Sequence, residues 1–346
     1  MSNSSEHALL HRQETRFAYY AEHGHLEWST TLQCWLVYDL DLVLEVLKSR
    51  AFLAEDSVEE SRMVSRGLKI DLSSTQMIFD KVPLALEGDQ HAELRRQMAV
   101  EITGHAAAAL QKVSEFAASA VPKFFAQREV FNIVECLFQP AVSIMMQELA
   151  GICLVDQLQD ASPTQIFDRQ LGASRRKIIE QKIKEIYAVA LETYSPEIAK
   201  MRVAMMLVGS DSMLGALAES FVYDVRRNGE EPLDLMHWSS KIPITSIPYV
   251  ERIAKSDISL GGNMILNGQR IRVYLDAFKS TDDRENDIYF GAGRHVCLGK
   301  AVSQNMWSIF VEQFKKINRR CNIVDVKYRR VDFLFNLPAH VGVKLT

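Results

Sequence analysis

Phe290-Gly291-Ala292-Gly293-Arg294-His295-Val296-Cys297-Leu298-Gly299 is a glycine-rich turn that carries one cysteine and runs into a helix. Glycines at 291 and 293 open positive φ to the backbone and allow close approach to a flat cofactor, which a side chain would obstruct. Beyond the turn, Val302, Met306, Phe310 and Phe314 recur every four residues, the spacing of an amphipathic helix. Cys297 therefore precedes a helix amino end, where unpaired N–H groups and the positive end of the dipole favour an anion and lower a thiol pKa. This makes Cys297 a candidate iron ligand. Taken alone, a cysteine in such a turn is more often a small buried hydrophobe.

The whole pattern, Phe-Gly-x-Gly-x-His-x-Cys-Leu-Gly, resembles the cysteine-ligand loop of the cytochrome P-450 family, the haem-thiolate monooxygenases, in the form of its soluble bacterial members. The resemblance implies a mainly α fold with small β-sheets, trimmed relative to the family. It also implies a haem b cofactor ligated through the metal-binding Cys297, with Phe290, His295 and Gly299 in the cofactor-binding loop. As an axial ligand a thiolate pushes electron density that favours O–O cleavage.

Upstream, Leu86-Glu87-Gly88-Asp89-Gln90-His91-Ala92-Glu93-Leu94-Arg95-Arg96 predicts a helix capped by Asp89, with His91 and Arg95 four apart on one face. Such a pair is often a solvated face. Here it resembles the family's His-x-x-x-Arg helix, which implies that His91 and Arg95 hydrogen-bond the haem propionates.

From Pro196 to Arg227 the apolar residues predict one long helix, and Asp211 and Glu219 argue against its crossing a membrane. Its middle, Val208-Gly209-Ser210-Asp211-Ser212, predicts a local widening able to hold water, because Ser and Asp compete for backbone groups. A plain kink with a solvated face is the alternative. The run resembles the family's Gly-x-Asp/Glu-Thr element, with Ser212 for the usual Thr. By that resemblance Gly209 adjoins the cofactor, while Asp211 and Ser212 are the catalytic pair that handles protons.

Elsewhere, Leu26-Glu27-Trp28 and Cys34 to Tyr38 suit strands, and Leu42 to Leu47 a short helix with an acidic start. Residues 66 to 83 read as a loop with one helical turn, and 105 to 195 as helices, one starting at Ser162-Pro163-Thr164. Gly261-Gly262 and Asn267-Gly268 mark turns between strands, and Tyr328 to Thr346 resembles the family's terminal hairpin. By resemblance of its flanks Arg252 is the family's propionate arginine; a surface arginine at a strand start is the alternative.

The family's Glu-x-x-Arg pair has no match. Its best counterpart, Trp238-Ser239-Ser240-Lys241, lacks both members, and the stretch from Lys279 to Phe290 is shorter than the family's meander. Losing both halves of an ion network together avoids an unpaired buried charge, which is costly by about 3–5 kcal/mol. Trp238 is expected to pack where the pair would lie.

With 346 residues, 47% of them hydrophobic and 24% charged, the chain can bury a large core, and 1–346 reads as a single domain. A net charge of −4 gives no reason to expect nucleic acid or an anionic membrane as partner. Cys34, Cys136, Cys153, Cys297 and Cys321 are odd in number and unpaired in spacing, so no disulfide framework or zinc site is suggested. The polar start, Met1 to His7, lacks a signal-peptide pattern, which with the cysteines suggests a cytoplasmic protein.

The resemblance implies activation of dioxygen to hydroxylate a small-molecule substrate, with a ferredoxin-like electron donor as a partner. Arg294, Lys300, Lys315, Lys316, Arg319 and Arg320 could steer such a donor. The trimmed donor side leaves open a haem enzyme driven by peroxide or performing a dehydration or bond formation, and a non-catalytic haem or ligand binder.

Overall fold

The computed structural model describes residues 25–127, 129–152, 171–275, 285–328 and 337–346. The helix start at Ser162 to Thr164 and the first half of the run from Lys279 to Phe290 lie outside these residues. Strands β1 (Leu26–Ser29) and β2 (Cys34–Val37) lead into α1 (Leu40–Lys48), whose Asp39 carboxylate accepts the Asp41 and Leu42 N–H groups as an N-cap. After β3 (Phe52–Leu53), residues expected to be mostly loop form the end of α2 (Ser57–Leu68) and all of α3 (Ser73–Phe79). The periodicity there is weak because α3 spans only seven residues. Its start is held instead by the Glu180 carboxylate, which accepts the Ser74 and Thr75 N–H groups at 2.7 and 3.0 Å.

The frame consists of long helices: α4 (Gly88–Phe125), α5 (Gln139–Ala150, preceded by a wide turn at Val134–Phe138), α6 (Ala173–Leu191) and α7 (Pro196–Asn228). Helix α4 buries Ala109, Val113, Ala117 and Val121 at four-residue spacing, a narrow face of small side chains that packs on α5. Pro196 opens α7 with its fixed φ, and Gly229 closes it at a positive φ of +63°. Helix α7 is long and apolar enough to cross a membrane, but 78% of its most apolar window is buried inside the protein, as befits a core helix.

No helix separates α7 from β5 (Tyr249–Ala254); the chain crosses there through a turn at Pro232 to Met236 and an irregular segment. Strands β6 (Ile258–Leu260) and β7 (Asn263–Ile265) form a hairpin, with Gly261 and Gly262 at positive φ in its turn. Strand β8 (Arg270–Tyr274) completes a five-stranded sheet of order β1-β2-β8-β5-β3, in which only β2 and β8 run parallel. Helix α8 (Lys300–Phe314) follows the cysteine turn, and the terminal hairpin of β9 (Cys321–Tyr328) and β10 (Pro338–Leu345) pairs with β4 (Phe131–Asn132).

Trp238 is buried in the core. It stacks on Phe314 at 5.2 Å, meets Phe221 and Trp307 at 6.1 Å, and donates its indole N–H to the Leu233 carbonyl. Nearby, the Asp224 carboxylate, wholly buried, accepts the Ser239 N–H and hydroxyl and pairs with Arg227. Aromatic packing thus fills the ground between α7 and α8.

Candidate functional site

A cavity of about 290 Å³ opens between α4, α7, β5 and the cysteine turn, with largely aliphatic and methionine walls. It brings together Arg95, Gly209, Ser212, Arg252, Phe290, His295, Cys297 and Gly299, drawn from positions 200 residues apart. Cys297 is exposed, yet lies deep within the protein, because the surface it shows is cavity wall.

The turn is built as its glycines suggest. Gly291 and Gly293 have φ of +75° and +67°. A Cβ on Gly293 would stand 2.6 Å from the Leu47 carbonyl oxygen, so close approach to the end of α1 requires glycine at 293. A Cβ on Gly291 would meet nothing nearer than 3.6 Å. The Cys297 N–H donates to the Phe290 carbonyl at 2.8 Å, which closes the turn under the sulfur.

Burial pushes the Cys297 thiol up, against the opposing pull of the Gly299 N–H, Arg95 and the Lys300 N–H. The expected lowering at the helix start is present but is outweighed by desolvation. The free thiol therefore keeps its proton, which a bound metal cation would displace.

Arg252 on β5 is only 4% exposed; it donates to the Glu251 carbonyl at 2.7 Å and otherwise lines the cavity. Burial lowers its pKa to about 10. Arg95 is half-buried and is likewise lowered by burial, with Cys297 opposing. His295 is buried with its Nδ1 unpartnered, while its Nε2 lies 3.2 Å from Glu87. Burial first, then Arg252, depress its pKa to about 4.

His91 is buried behind the cavity wall rather than in it. Its ring packs on that of His295 at 4.3 Å, and its Nε2 has no partner. Burial and Arg95 lower its pKa.

Asp89 does not cap α4. Glu87 holds the cap position, and Asp89 sits in the first turn, where its charge faces the helix dipole. Glu87 is the residue the sequence reading missed. Its carboxylate accepts from Arg294 Nε at 2.8 Å, Arg294 Nη2 at 3.0 Å, the Ala54 N–H and His295 Nε2. Burial alone would raise it, but Arg294, Ala54 and His295 outweigh that and hold it at about 2. Arg294 is accordingly no free surface charge; it also donates to the Ser49 and Phe52 carbonyls. Arg319 is similarly engaged, by the carbonyls of Phe125, Gln127 and Leu345.

On the opposite wall, α7 runs through Gly209 to Ser212 without widening. The Ser212 hydroxyl donates back to the Val208 and Gly209 carbonyls at 3.1 Å, and Met146 fills the space beside Gly209. Ser246 donates to the Ser212 carbonyl at 2.9 Å, and Gly215 lets that segment lie against the helix. Asp211 is buried, outside the cavity lining.

These residues fit a haem. The donor set combines one sulfur that faces the cavity, apolar walls, two arginines and a buried imidazole nitrogen without a partner, as a flat apolar ligand carrying carboxylates would need.

No protein-family model and no curated protein matches the sequence. Among solved structures, the chain is similar to P450BioI in complex with acyl carrier protein ligated to hexadec-9Z-enoic acid. The TM-score is 0.81 at 13% identity, covering 98% of this chain and 100% of that one. CalO2 gives 0.82 at 14% identity, over 98% and 97% of the two chains. The cytochrome P-450 enzyme CYP109B1 from Bacillus subtilis gives 0.72 at 14% identity, over 97% and 100%. The fold is that of the cytochromes P-450, mainly α with small sheets, over nearly the whole chain.

Proposed function

We propose that the chain, read as one domain over 1–346, is a cytoplasmic haem-thiolate oxidoreductase that oxidises an apolar small molecule in secondary metabolism. One observation carries this reading: the Cys297 sulfur, at the start of α8, faces the same cavity as Arg95, Arg252, His295 and the Gly209–Ser212 stretch of α7. When bound, haem b supplies iron that activates oxygen for insertion into an unreactive C–H bond.

The protein's own residues hold, orient and protonate. Cys297 ligates the iron, and Phe290 and Gly299 shape the turn around it. Arg95 and Arg252 pair with the propionates, and His295 joins them through Nδ1 when a carboxylate holds its ring as imidazolium. His91 backs that ring. Across the cavity Gly209 lets Met146 close against the helix, the Ser212 hydroxyl accepts a hydrogen bond from water, and buried Asp211 passes protons through it. Methionine and aliphatic walls, including Met98, Met146 and Met205, favour an apolar substrate and exclude bulk water.

The trimmed donor side, with no helix between α7 and β5, favours a second reading, in which peroxide replaces a ferredoxin-like donor and dioxygen. Product formed with reduced ferredoxin and dioxygen, and not with hydrogen peroxide alone, supports the first; the reverse supports the second. A haem-loaded protein that forms no product from either supply, with a panel of apolar substrates, would count against catalysis.

A further inference from the structure

Resting on the haem reading of the cavity, we propose that Glu87 is the positioning residue that clamps the cysteine turn and so fixes where Cys297 and His295 stand. Glu87 occupies the cap position of α4, with extended backbone (φ −134°, ψ 167°), but its side chain makes no cap hydrogen bond. The carboxylate turns instead toward the cysteine turn and takes four donors on two oxygens. Oε1 accepts the Ala54 N–H, Arg294 Nη2 and His295 Nε2, and Oε2 accepts Arg294 Nε.

These donors come from parts of the chain that are 33 and more than 200 residues away from Glu87 in sequence. The forked contact between a planar guanidinium and a carboxylate fixes orientation as well as distance. The remaining Arg294 donors reach the Ser49 and Phe52 carbonyls, so the fork also ties the turn to the end of α1 and to β3.

Two consequences follow for the site. An ionised carboxylate only accepts, so the His295 Nε2 that faces it carries a hydrogen and the ring cannot flip without losing that bond. Nδ1 is then the atom left for the cavity side. Cys297 lies two residues beyond His295, and the Gly293 backbone is pressed against Leu47. A turn released from Glu87 would carry the sulfur with it.

The test uses the full chain loaded with haem. Glu87→Gln keeps the side chain's size and removes its charge. It should transfer haem to excess apomyoglobin at least tenfold faster than wild type. Its ferrous carbon monoxide complex should lose more than half of the thiolate-type Soret band, and Glu87→Asp should restore most of it. Glu180→Gln is the control for general weakening, since that buried carboxylate also accepts several donors but lies away from the turn; it should keep wild-type band and transfer rate.

Wild-type transfer and band in Glu87→Gln, or equal losses in Glu180→Gln, would overturn the proposal. Should Glu87→Gln not accumulate folded, Arg294→Gln is measured in its place and must show the same losses. If wild type takes up no haem, the haem reading fails by itself. The clamp is then read from hydrogen exchange of the 290–299 amides in the haem-free protein, which Glu87→Gln should speed about tenfold; unchanged exchange would sink it.

Discussion

Replacing Gly293 by alanine should destabilise the protein through two separable effects. The residue has φ +67°, where a Cβ costs about 1–2 kcal/mol. The added carbon would also stand 2.6 Å from the Leu47 carbonyl oxygen and 3.1 Å from the Lys48 Cα. Both are backbone atoms, so relief requires α1 and the cysteine turn to part, an overpacking cost of about 1–3 kcal/mol. The expected total is about 2–5 kcal/mol. Gly291→Ala isolates the first effect, because φ is +75° there but the nearest atom to a new Cβ is 3.6 Å away; it should cost only about 1–2 kcal/mol. Urea unfolding of the haem-free proteins, followed by fluorescence of buried Trp238 and Trp307, gives both values. Equal losses in the two variants would refute the packing argument. A loss at Gly293 below about 1 kcal/mol would refute the strain argument as well.

Trp238→Ala should lose about 3–5 kcal/mol in the same assay, because it empties the aromatic cluster between α7 and α8; a loss under about 1 kcal/mol would show that the cluster is not a core. Ser212→Ala should change stability by less than about 1 kcal/mol, since its hydroxyl bonds only carbonyls of its own helix, and a larger loss would contradict that geometry. Acid should weaken the haem-free protein in two stages. His295 has its pKa lowered from 6.5 to about 4, so the unfolded chain takes the proton first. Its contribution is whole above pH 6.5 and falls away toward pH 4, by up to about 3 kcal/mol. Glu87, held at about 2 against 4.5, adds a further loss as pH falls from 4.5. His295→Ala should flatten the upper stage in urea unfolding from pH 7 to 4, and an unchanged slope there would contradict the assignment.

The parts of the site legible in the sequence were those whose signal is local. The cysteine turn, the apolar run of α7, the four-residue period of α8 and the Gly261-Gly262 turn each follow from composition, spacing or backbone freedom within a short stretch. Arg252 was placed by resemblance to its flanks, and its burial was not visible. Glu87 could not be read, because its partners lie 33 and more than 200 residues away and an acidic residue at a helix start already has an ordinary role. The one available signal was Arg294, a guanidinium inside a glycine turn with no acid nearby in sequence. The weak period of 66–83 hid α3, whose start depends on Glu180 a hundred residues on. At Ser212 the residue types favoured an opened helix, and the packing of Met146 and the back-bonded hydroxyl decided for a closed one.

The central claim is that Cys297 gives its sulfur to haem iron in the cavity. Purified protein supplied with haem, reduced and exposed to carbon monoxide should show the red-shifted Soret band of a thiolate-bound haem, and Cys297→Ala should not. A protein that stays colourless after haem is supplied, or the same band in Cys297→Ala, would contradict the account.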